Sequence, residues 1–204
     1  MSAPGRFVTL EGVDGAGKST HIDFIADALR ARDLRVIVTR EPGGTELAER
    51  MRDAILQQSM DPVAETLLLF AARADHVARV IRPAMQSGTW VICDRFTDAT
   101  FAYQGAGKGV SADHIRHLAE LAHPGLRPDR TLVFDVEYKV SSQRLRSSGK
   151  TLDRFESEEP GFFERVRLAY RDAARAEPER VRIINAAADM ATIREAIKRA
   201  LYGL

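Results

Sequence analysis

The chain has 204 residues, 45% of them hydrophobic, and its 30 lysines and arginines nearly balance its 29 aspartates and glutamates, for a net charge of +1. Length and composition predict one domain over residues 1–204, and the near-zero charge excludes a general polyanion binder, so we expect no nucleic-acid partner. The single cysteine, Cys93, excludes an internal disulfide or a cysteine-based zinc site. The start MSAPGRF lacks an apolar signal core, and no apolar run approaches membrane-spanning length. These features predict a cytoplasmic protein without a membrane partner.

The first predicted element is the strand RFVTLEG, residues 6–12, which runs into the loop GVDGAGKST. Apolar residues at helical spacing follow the loop. The loop fits the pattern G-x-x-x-x-G-K-[ST], in which glycines turn backbone N–H groups towards phosphates, here with Gly12 and Gly17. In this pattern Lys18 reaches the β- and γ-phosphates and Ser19 ligates Mg²⁺. The order strand, loop, helix favours a phosphate loop over the alternative, a surface glycine turn with an incidental lysine.

The next elements continue the alternation of strands and helices. RVIVT, residues 35–39, predicts a strand, and the breaker EPGG, residues 41–44, separates it from a helix. Asp61 and Pro62 predict the N-cap and first position of a long helix that ends near Gly88. Pro83 should kink or divide that helix, because proline cannot donate the helical hydrogen bond.

The second half predicts three more strands, at residues 90–94, 130–135 and 181–184, with helices between and after them. Continuous apolar strands that alternate with helices indicate an α/β fold, here a doubly wound, parallel five-stranded sheet flanked by helices. Such sheets bind ligands at the carboxyl ends of their strands. The polar residues predicted at that edge are Glu11, Arg40, Glu41, Asp94, Arg95, Asp135 and Asn185.

The polar residues around the predicted strands favour phosphoryl transfer over hydrolysis. GTPases need a guanine-reading Asn-Lys-x-Asp motif, but the only asparagine, Asn185, is followed by Ala186. Arg95 directly follows Asp94, where an arginine can grip a second phosphate with two parallel hydrogen bonds. Asp135 is the rival metal-binding aspartate, and Asp94 is preferred because of Arg95.

Four further runs resemble bacterial thymidylate kinase, a P-loop nucleoside monophosphate kinase family that phosphorylates dTMP with ATP. They are TREPGGT (residues 39–45), FAARADH (70–76), DRFTDATFAYQG (94–105) and LDRFE (152–156). The resemblance covers nearly the whole chain. It implies ATP as phosphoryl donor, Mg²⁺, a role in dTTP biosynthesis, a small mobile LID at about residues 144–160, and a homodimer.

The resemblance also implies roles for individual residues. Lys18, Arg95, Asp14, Arg146 and Arg154 would be catalytic, and Ser19 and Asp94 would serve the metal. Nucleotide contacts would come from Gly12, Gly15, Ala16, Gly17, Lys18, Ser19, Thr20, Arg144 and Ala186. The dTMP pocket would contain Asp14, Glu41, Arg52, Phe70, Arg73, Arg95, Thr100, Tyr103 and Gln104. In this pocket Arg95 would hold the phosphate, Tyr103 would close against the sugar, and Phe70 would stack on the base, with Leu69 as the neighbouring alternative in register.

The phosphate loop has Gly15 and Ala16 where some relatives have a catalytic arginine, so the LID should supply that arginine. Arg144, Arg146 and Arg154 are the candidates, and Lys150 is a further cation beside them. From pattern alone, Phe70 could be only a core residue. Two other functions stay open: a kinase with a different acceptor, and a nucleotide-binding regulatory or motor ATPase.

Overall fold

The computed structural model describes residues 4–147, 149 and 153–204 of the chain. The strands are β1 (Phe7–Glu11), β2 (Val36–Arg40), β3 (Trp90–Asp94), β4 (Arg130–Asp135) and β5 (Val181–Asn185). The helices are α1 (Lys18–Arg30), α2 (Glu46–Gln57), α3 (Pro62–His76), α4 (Arg82–Gln86), α5 (Thr97–Thr100), α6 (Ala112–Ala122), α7 (Tyr138–Ser147), α8 (Pro160–Ala176) and α9 (Met190–Leu201). The bounds of all five strands lie within one residue of those expected from the sequence.

The strands form one parallel sheet in the order β2-β3-β1-β4-β5. Both faces of this sheet are covered. Val8 and Leu10 of β1 are fully buried in the larger core with α1, α8 and α9, while Phe7 and Val91 point into a second core on the opposite face. Cys93 lies in that second core and is fully buried. The predicted doubly wound α/β fold is therefore confirmed.

The strand order places the ligand crevice next to β1. The chain leaves β1 for β2 at one edge of the sheet, whereas it leaves β3 for β4, which lies towards the other edge. The carboxyl ends of the neighbouring strands β1 and β3 therefore form a topological switch point. Glu11 ends β1 and Asp94 ends β3, and Leu10 pairs with Asp94 across the two strands. The phosphate loop and Arg95 both leave the sheet at this point.

The long helix predicted from Asp61 to Gly88 is divided in the structure. Asp61 caps it as expected, because its Oδ1 accepts a hydrogen bond from the Val63 N–H at 2.8 Å. A π-helical turn, Val77–Ile81, separates α3 from α4, and the Arg82 N–H bonds to the Val77 carbonyl five residues back. This wider turn precedes Pro83, which has no N–H to give to an ordinary helical bond. The prediction of a division is confirmed, but the division begins before the proline.

The segment between β3 and α6 is helical over most of its length. It forms α5 and then a second π-helical turn, Phe101–Gly107, which packs against α8. This turn carries Tyr103 and Gln104, and both side chains are buried. The DATFAYQG run, residues 98–105, thus has a continuous helical backbone, which directs Thr100, Tyr103 and Gln104 into one pocket.

The proposed LID lies only partly within the described residues. Helix α7 extends through Arg144 and Arg146 to Ser147, and the next described residues are Gly149 and those from Asp153 onwards. Ser148, Lys150, Thr151 and Leu152 lie outside the described residues, so the LID and its mobility stay predictions. In the part of the chain that the structure describes, no helix is long and apolar enough to cross a membrane.

Candidate active site

The loop after β1 has the geometry of a phosphate-binding loop. Gly12, Gly15 and Gly17 have φ angles of 131°, 78° and 93°, which side chains with a Cβ rarely adopt. A Cβ on Gly12 would lie 2.5 Å from the Phe134 carbonyl oxygen. Helix α1 starts at Lys18 directly after the loop, and no described side chain caps it. Its first N–H groups and its positive dipole end are therefore available to an anion.

Lys18 folds back over the loop from which it arises. Its side chain is 6% exposed, and its Nζ donates to the Gly12 carbonyl at 3.2 Å and the Val13 carbonyl at 3.4 Å. Burial lowers the pKa of Lys18, and the Arg95 cation lowers it further, against the opposing charges of nearby carboxylates. An anion at this place would satisfy the ammonium better than two peptide carbonyls do. Ser19 and Thr20, the other predicted contacts, are exposed at the start of α1.

Asp94 ends β3 and Asp135 ends β4, the strands on either side of β1, but only Asp94 has a carboxylate oxygen without a protein partner among the described residues. Asp135 binds Arg167, whose Nε and NH2 lie 2.7 and 3.3 Å from its two oxygens. Asp94 Oδ1 is buried and has no hydrogen-bond partner among the described residues. The predicted choice of Asp94 over Asp135 therefore fits the geometry.

A metal ion at this place would depend on its nucleotide for most of its ligands. In the described part of the chain, no group of three or more histidine, cysteine or acidic side chains could hold a metal alone. Mg²⁺ commonly binds through one or two protein groups, waters and substrate phosphates, rather than an all-protein cage. One unpartnered carboxylate oxygen beside a phosphate loop fits that type of site.

Arg95 connects the end of β3 to the phosphate loop. Its φ of 69° is unusual for a residue with a side chain. NH1 donates to the Gly12 carbonyl at 3.0 Å, and NH2 donates to Asp14 Oδ1 at 2.6 Å and to the Tyr103 hydroxyl at 3.0 Å. The guanidinium carbon also lies 4.7 Å from the centre of the Tyr103 ring. Arg95 is thus held in place by the loop and by the turn after β3.

Asp14 is the acidic partner inside the phosphate loop. Burial alone would raise the pKa of its carboxyl group, but Arg95 and Lys18 outweigh burial and lower that pKa. Its second oxygen accepts a hydrogen bond from the Tyr103 hydroxyl at 3.1 Å. Burial raises the pKa of Tyr103 well above its ordinary value, so the hydroxyl keeps its proton. Asp14, Arg95 and Tyr103 therefore form one connected polar unit.

A pocket opens beside this unit, and it brings together every predicted dTMP-contacting residue except Phe70. The residues that line it are Asp14, Glu41, Pro42, Arg52, Ile55, Leu56, Leu69, Arg73, Arg95, Phe96, Ala99, Thr100, Tyr103, Gln104, Asp153 and Phe155. Among them, Arg52 is anchored through its NH1, which donates to the Pro42 carbonyl at 2.9 Å. Apolar side chains and several cations thus share one cavity, as a nucleotide requires.

Arg73 is fixed on one wall of the pocket by a buried network. Its Nε donates to Glu41 Oε2 at 2.6 Å, and both terminal nitrogens lie 3.2 Å from Thr100 Oγ1. The second Glu41 oxygen lies 3.0 Å from His76 Nδ1, and His76 Nε2 lies 2.7 Å from Thr39 Oγ1. Burial raises the pKa of Glu41, but Arg73 and His76 lower it more. Arg73 therefore sits in one fixed orientation.

Phe70, predicted to stack on the base, lies elsewhere. It is 3% exposed and packs in the core between α3 and α6, with Val110 and Ile115. Its neighbour Leu69 lines the pocket instead. Consecutive helical residues point about 100° apart, so a shift of one position decides which side chain meets the ligand. The position of Phe70 does not support base stacking by its ring.

The three candidate LID arginines take different positions. The Arg144 guanidinium lies beside Gly17, and its NH2 donates to the Ala186 carbonyl at 3.0 Å. Arg146 is exposed, with NH2 3.4 Å from Ser142 Oγ. Arg144 and Ala186, both predicted nucleotide contacts, are therefore adjacent at the phosphate loop.

The third arginine, Arg154, lies against the pocket that contains Asp14 and Arg95, away from the phosphate loop. Its NH2 lies 2.5 Å from Glu65 Oε2, its Nε bonds to the Ile55 carbonyl, and its guanidinium covers the Phe155 ring at 4.3 Å. Ile55 and Phe155 line the pocket, and Glu65 lies behind it. The position of Arg154 in this structure does not support the predicted contact with the transferred phosphoryl group.

Sequence reasoning missed Glu65, Lys108 and Phe155. Glu65 is in the first turn of α3, where an acidic residue is ordinarily explained by the helix dipole. Lys108 follows the glycine-rich end of the DATFAYQG run, and its Nζ lies 2.9 Å from Glu65 Oε2. Only the folded chain shows that these three side chains meet.

Comparison with known proteins gives a consistent result. A family model described as thymidylate kinase matches residues 10–197. The chain is 50% identical over 204 residues to the thymidylate kinase of Bordetella petrii, covering 100% of this chain and 98% of that one. It is 50% identical over 197 residues to that of Cupriavidus necator, with 96% and 97% covered.

A solved structure agrees with these sequence matches. The crystal structure of thymidylate kinase from Ehrlichia chaffeensis superposes with a TM-score of 0.78 at 33% identity, covering 97% of this chain and 99% of that chain. The P-loop fold, the full-length identity and the family match agree. The chain belongs to the thymidylate kinase family.

Proposed function

We propose that the protein transfers the γ-phosphoryl group of ATP to the phosphate of dTMP, in the presence of Mg²⁺, to give ADP and dTDP for dTTP biosynthesis. Family membership supports dTMP as the acceptor, because the relatives named above are thymidylate kinases. The contacts within the site support ATP, Mg²⁺ and the roles of individual residues.

The contact between Arg95 and Asp14 carries this proposal. Asp14 belongs to the phosphate loop, yet it also lines the acceptor pocket, and Arg95 binds it at 2.6 Å. The donor site and the acceptor site therefore share a wall made of one ion pair. Two phosphates bound on the two sides of that wall would be neighbours, which direct transfer between two nucleotides requires.

The donor phosphates fit the cradle formed by the loop and the start of α1. Backbone N–H groups of this loop are unhindered by side chains at Gly15 and Gly17, and Lys18 adds a buried cation. Arg144 contributes a second cation beside Gly17. Its NH2 also donates to the carbonyl of Ala186, which we assign to the adenine side of the site. Cations on both sides of a triphosphate offset its charge as the phosphoryl group leaves.

Mg²⁺ would be held by Ser19 and, directly or through water, by Asp94, whose buried Oδ1 lacks a partner among the described residues. The ion would supply charge neutralisation between the β- and γ-phosphates. The pairing of Asp135 with Arg167 leaves Asp94 as the carboxylate suited to this task.

The acceptor nucleotide fits the pocket with its phosphate at Arg95 and its base near Arg73. We assign the sugar side to Tyr103, whose buried hydroxyl is held between Arg95 and Asp14. Leu69 takes the apolar contact with the base that the sequence had given to Phe70. Arg73 is the donor for a thymine carbonyl, with Thr100 and Gln104 at the base edge.

The inventory of side chains also agrees with the chemistry. The phosphate oxygen of a nucleoside monophosphate is already anionic at neutral pH, so it attacks without a general base. What the reaction needs is in-line alignment and cancellation of negative charge. Lys18, Arg95 and Arg144 provide that charge around the junction of the two sites.

The LID arginine that meets the transferred group is best assigned to Arg144. It lies against the loop that lacks its own arginine, whereas Arg154 is engaged with Glu65 across the acceptor pocket. Arg146, two residues further along α7, is the next candidate.

The homodimer and the cytoplasmic location also belong to this proposal. Exposed apolar side chains on the packed helices α2, α3 and α6 support a partner surface. They are Leu47, Val63, Leu67 and Leu121, which are 47%, 50%, 51% and 80% exposed. Light scattering after size exclusion should give twice the monomer mass of 22.6 kDa.

The function is tested by coupled ADP release with ATP and Mg²⁺, offering dTMP, dUMP, UMP, dCMP, AMP, GMP and thymidine as separate acceptors. We expect rapid turnover with dTMP and slower turnover with dUMP. ADP release that ignores the acceptor would instead indicate an ATPase. A preference for thymidine would contradict the assignment of Arg95 to an acceptor phosphate.

A further inference from the structure

Glu65 is a fully buried carboxylate that the proposed reaction does not use. It lies in the first turn of α3, and its side chain is 0% exposed. Gln104 Nε2 donates to its Oε1 at 2.7 Å, and Lys108 Nζ donates to both of its oxygens at 3.1 and 2.9 Å. Arg154 NH2 lies 2.5 Å from Oε2. Two cations thus offset its negative charge inside the protein.

The charge of Glu65 decides the orientation of the Gln104 carboxamide. A glutamine side chain carries donors on its nitrogen and an acceptor on its oxygen, whereas an ionised carboxylate has acceptors only. The nitrogen of Gln104 must therefore face Glu65. The oxygen, Oε1, is the end that remains for the pocket, which Gln104 lines, and no donor for it lies among the described residues.

An acceptor fixed at this place discriminates between pyrimidines. Thymine and uracil carry an N–H donor at N3, whereas cytosine carries a lone pair there. An oxygen aimed at N3 forms a hydrogen bond with the first two and meets an unpaired acceptor on the third. A buried polar mismatch of this kind is costly, because the group loses water without gaining a partner.

We propose that Glu65 is a positioning residue for base selection: it holds Gln104 Nε2 and thereby presents Gln104 Oε1 to the N3–H of thymine. This inference rests on the proposed function, which places the base edge at Gln104. Glu65 itself does not line the pocket and acts through Gln104.

Lys108 and Arg154 bring only donor groups to the Glu65 oxygens, so each side-chain partner of this carboxylate is a donor. They also flank the Phe155 ring, at 4.5 and 4.3 Å from its centre. Phe155 is a pocket residue that directly follows Arg154. Arg154, in the second half of the proposed LID, is therefore bound to the same carboxylate that orients Gln104.

The decisive variant is Glu65→Gln, which keeps size and shape but can donate as well as accept. The Gln104 carboxamide can then turn over and offer its NH₂ group to cytosine. We expect the ratio of kcat/KM for dTMP to that for dCMP to fall about tenfold or more, through a higher KM for dTMP. The KM for ATP should stay unchanged.

Two comparisons separate positioning from a general structural role. Glu195→Gln makes the same change at an exposed glutamate paired with Lys198, and it should leave the ratio unchanged. In a Gln104→Met background, Glu65→Gln should not lower the ratio further, because Glu65 acts through Gln104. Equal losses with dTMP and dCMP, or a further loss in the Gln104→Met background, would overturn the proposal.

A folding defect in Glu65→Gln leaves the idea testable through Glu65→Asp, which keeps an acceptor-only anion. That variant should lose activity but retain the preference for dTMP over dCMP, and loss of the preference would overturn the proposal. Turnover by the wild-type protein tests the proposed function separately from the role of Glu65. Absence of dTMP turnover there would contradict the proposed function, whereas a dTMP-selective wild type with an equally selective Glu65→Gln would contradict only the role of Glu65.

Discussion

Arg95 NH2 lies 2.6 Å from Asp14 Oδ1, so a guanidinium at the end of β3 is bound to a carboxylate inside the phosphate loop. The two side chains are only 17% and 26% exposed, and each also contacts the Tyr103 hydroxyl. An ion pair with this little water around it is stronger than a surface pair. It fixes the wall between the two proposed nucleotide sites in the structure without nucleotides.

Replacement of Arg95 by alanine should chiefly weaken dTMP binding. The acceptor phosphate would lose its cation, and Asp14 would keep its negative charge facing that phosphate. Truncation of one member of a buried, hydrogen-bonded charge pair costs about 2 kcal/mol or more, which corresponds to roughly a 30-fold or larger rise in Kd. Isothermal titration calorimetry with dTMP measures this change directly.

The control for that experiment is Arg50→Ala. Arg50 pairs with Glu46 on the exposed face of α2, where both side chains are at least 75% exposed, so its loss should leave dTMP affinity unchanged. An Arg95→Ala protein with the wild-type Kd for dTMP would contradict the assignment of Arg95 to the acceptor phosphate.

Glu11 should make stability depend on pH. Burial raises its pKa to about 8 from an ordinary value of 4.5, and the neighbouring Asp98 charge adds to this, while Arg95, the Tyr170 hydroxyl and the Phe96 N–H oppose it. A raised folded-state pKa means that the unfolded chain releases the proton first. The contribution of Glu11 to stability is therefore fully present below about pH 4.5 and is lost as pH rises through 8.

Glu11→Gln removes this titration but keeps a group that can accept from the Phe96 N–H and bond to the Tyr170 hydroxyl. We expect the difference in free energy of unfolding, wild type minus variant, to fall by a few kcal/mol between about pH 5 and 8 and to level off above pH 8. Urea unfolding at several pH values measures it. A pH-independent difference would show that Glu11 titrates normally.

Much of the fold follows from local sequence patterns. Glycines that end an apolar strand and precede a helix have few other structures open to them, and the Gly12 and Gly17 backbones have the expected positive φ. Short apolar strands separated by helices admit few arrangements besides a covered parallel sheet. Arg95 could be placed because it directly follows a strand, so the sheet itself carries it to the crevice.

The remaining features depend on rotations that a sequence does not encode locally. Leu69 and Phe70 are both apolar, and only the packing of α3 against α6 decides which of them faces the pocket. The two π-helical turns each change the helical register of the residues that follow. Pro83 is a sequence signal near the first turn, but no proline lies near the second. The contact of Arg154 with Glu65 joins residues 89 positions apart, so no spacing rule reveals it.

Gly12→Ala should disable the phosphate loop. The new Cβ would lie 2.5 Å from the Phe134 carbonyl oxygen, and the φ of 131° would be strained for alanine. The loop must then move away from β4, which misplaces its N–H groups. We expect loss of ATP binding, measured with a fluorescent ATP analogue, together with a lower Tm.

The control is Gly125→Ala, which also carries a positive φ, 68°, but has no atom within 4 Å of the new Cβ. It should cost about 1–2 kcal/mol of stability from backbone strain and leave ATP affinity unchanged. Wild-type ATP affinity in Gly12→Ala would show that the loop does not depend on close approach at this position.

Asp94 and Asp135 offer a matched test of the metal site, because both end a central strand of the sheet. Asp94→Asn should raise the Mg²⁺ concentration needed for half-maximal activity about 10- to 100-fold, since a weaker ligand replaces the unpartnered Oδ1. Asp135→Asn weakens the ion pair with Arg167, so it should lower the free energy of unfolding by about 1 kcal/mol and leave the Mg²⁺ requirement unchanged. Titration of activity with Mg²⁺ at saturating ATP distinguishes them. A raised Mg²⁺ requirement in Asp135→Asn, with a normal one in Asp94→Asn, would move the metal to the end of β4.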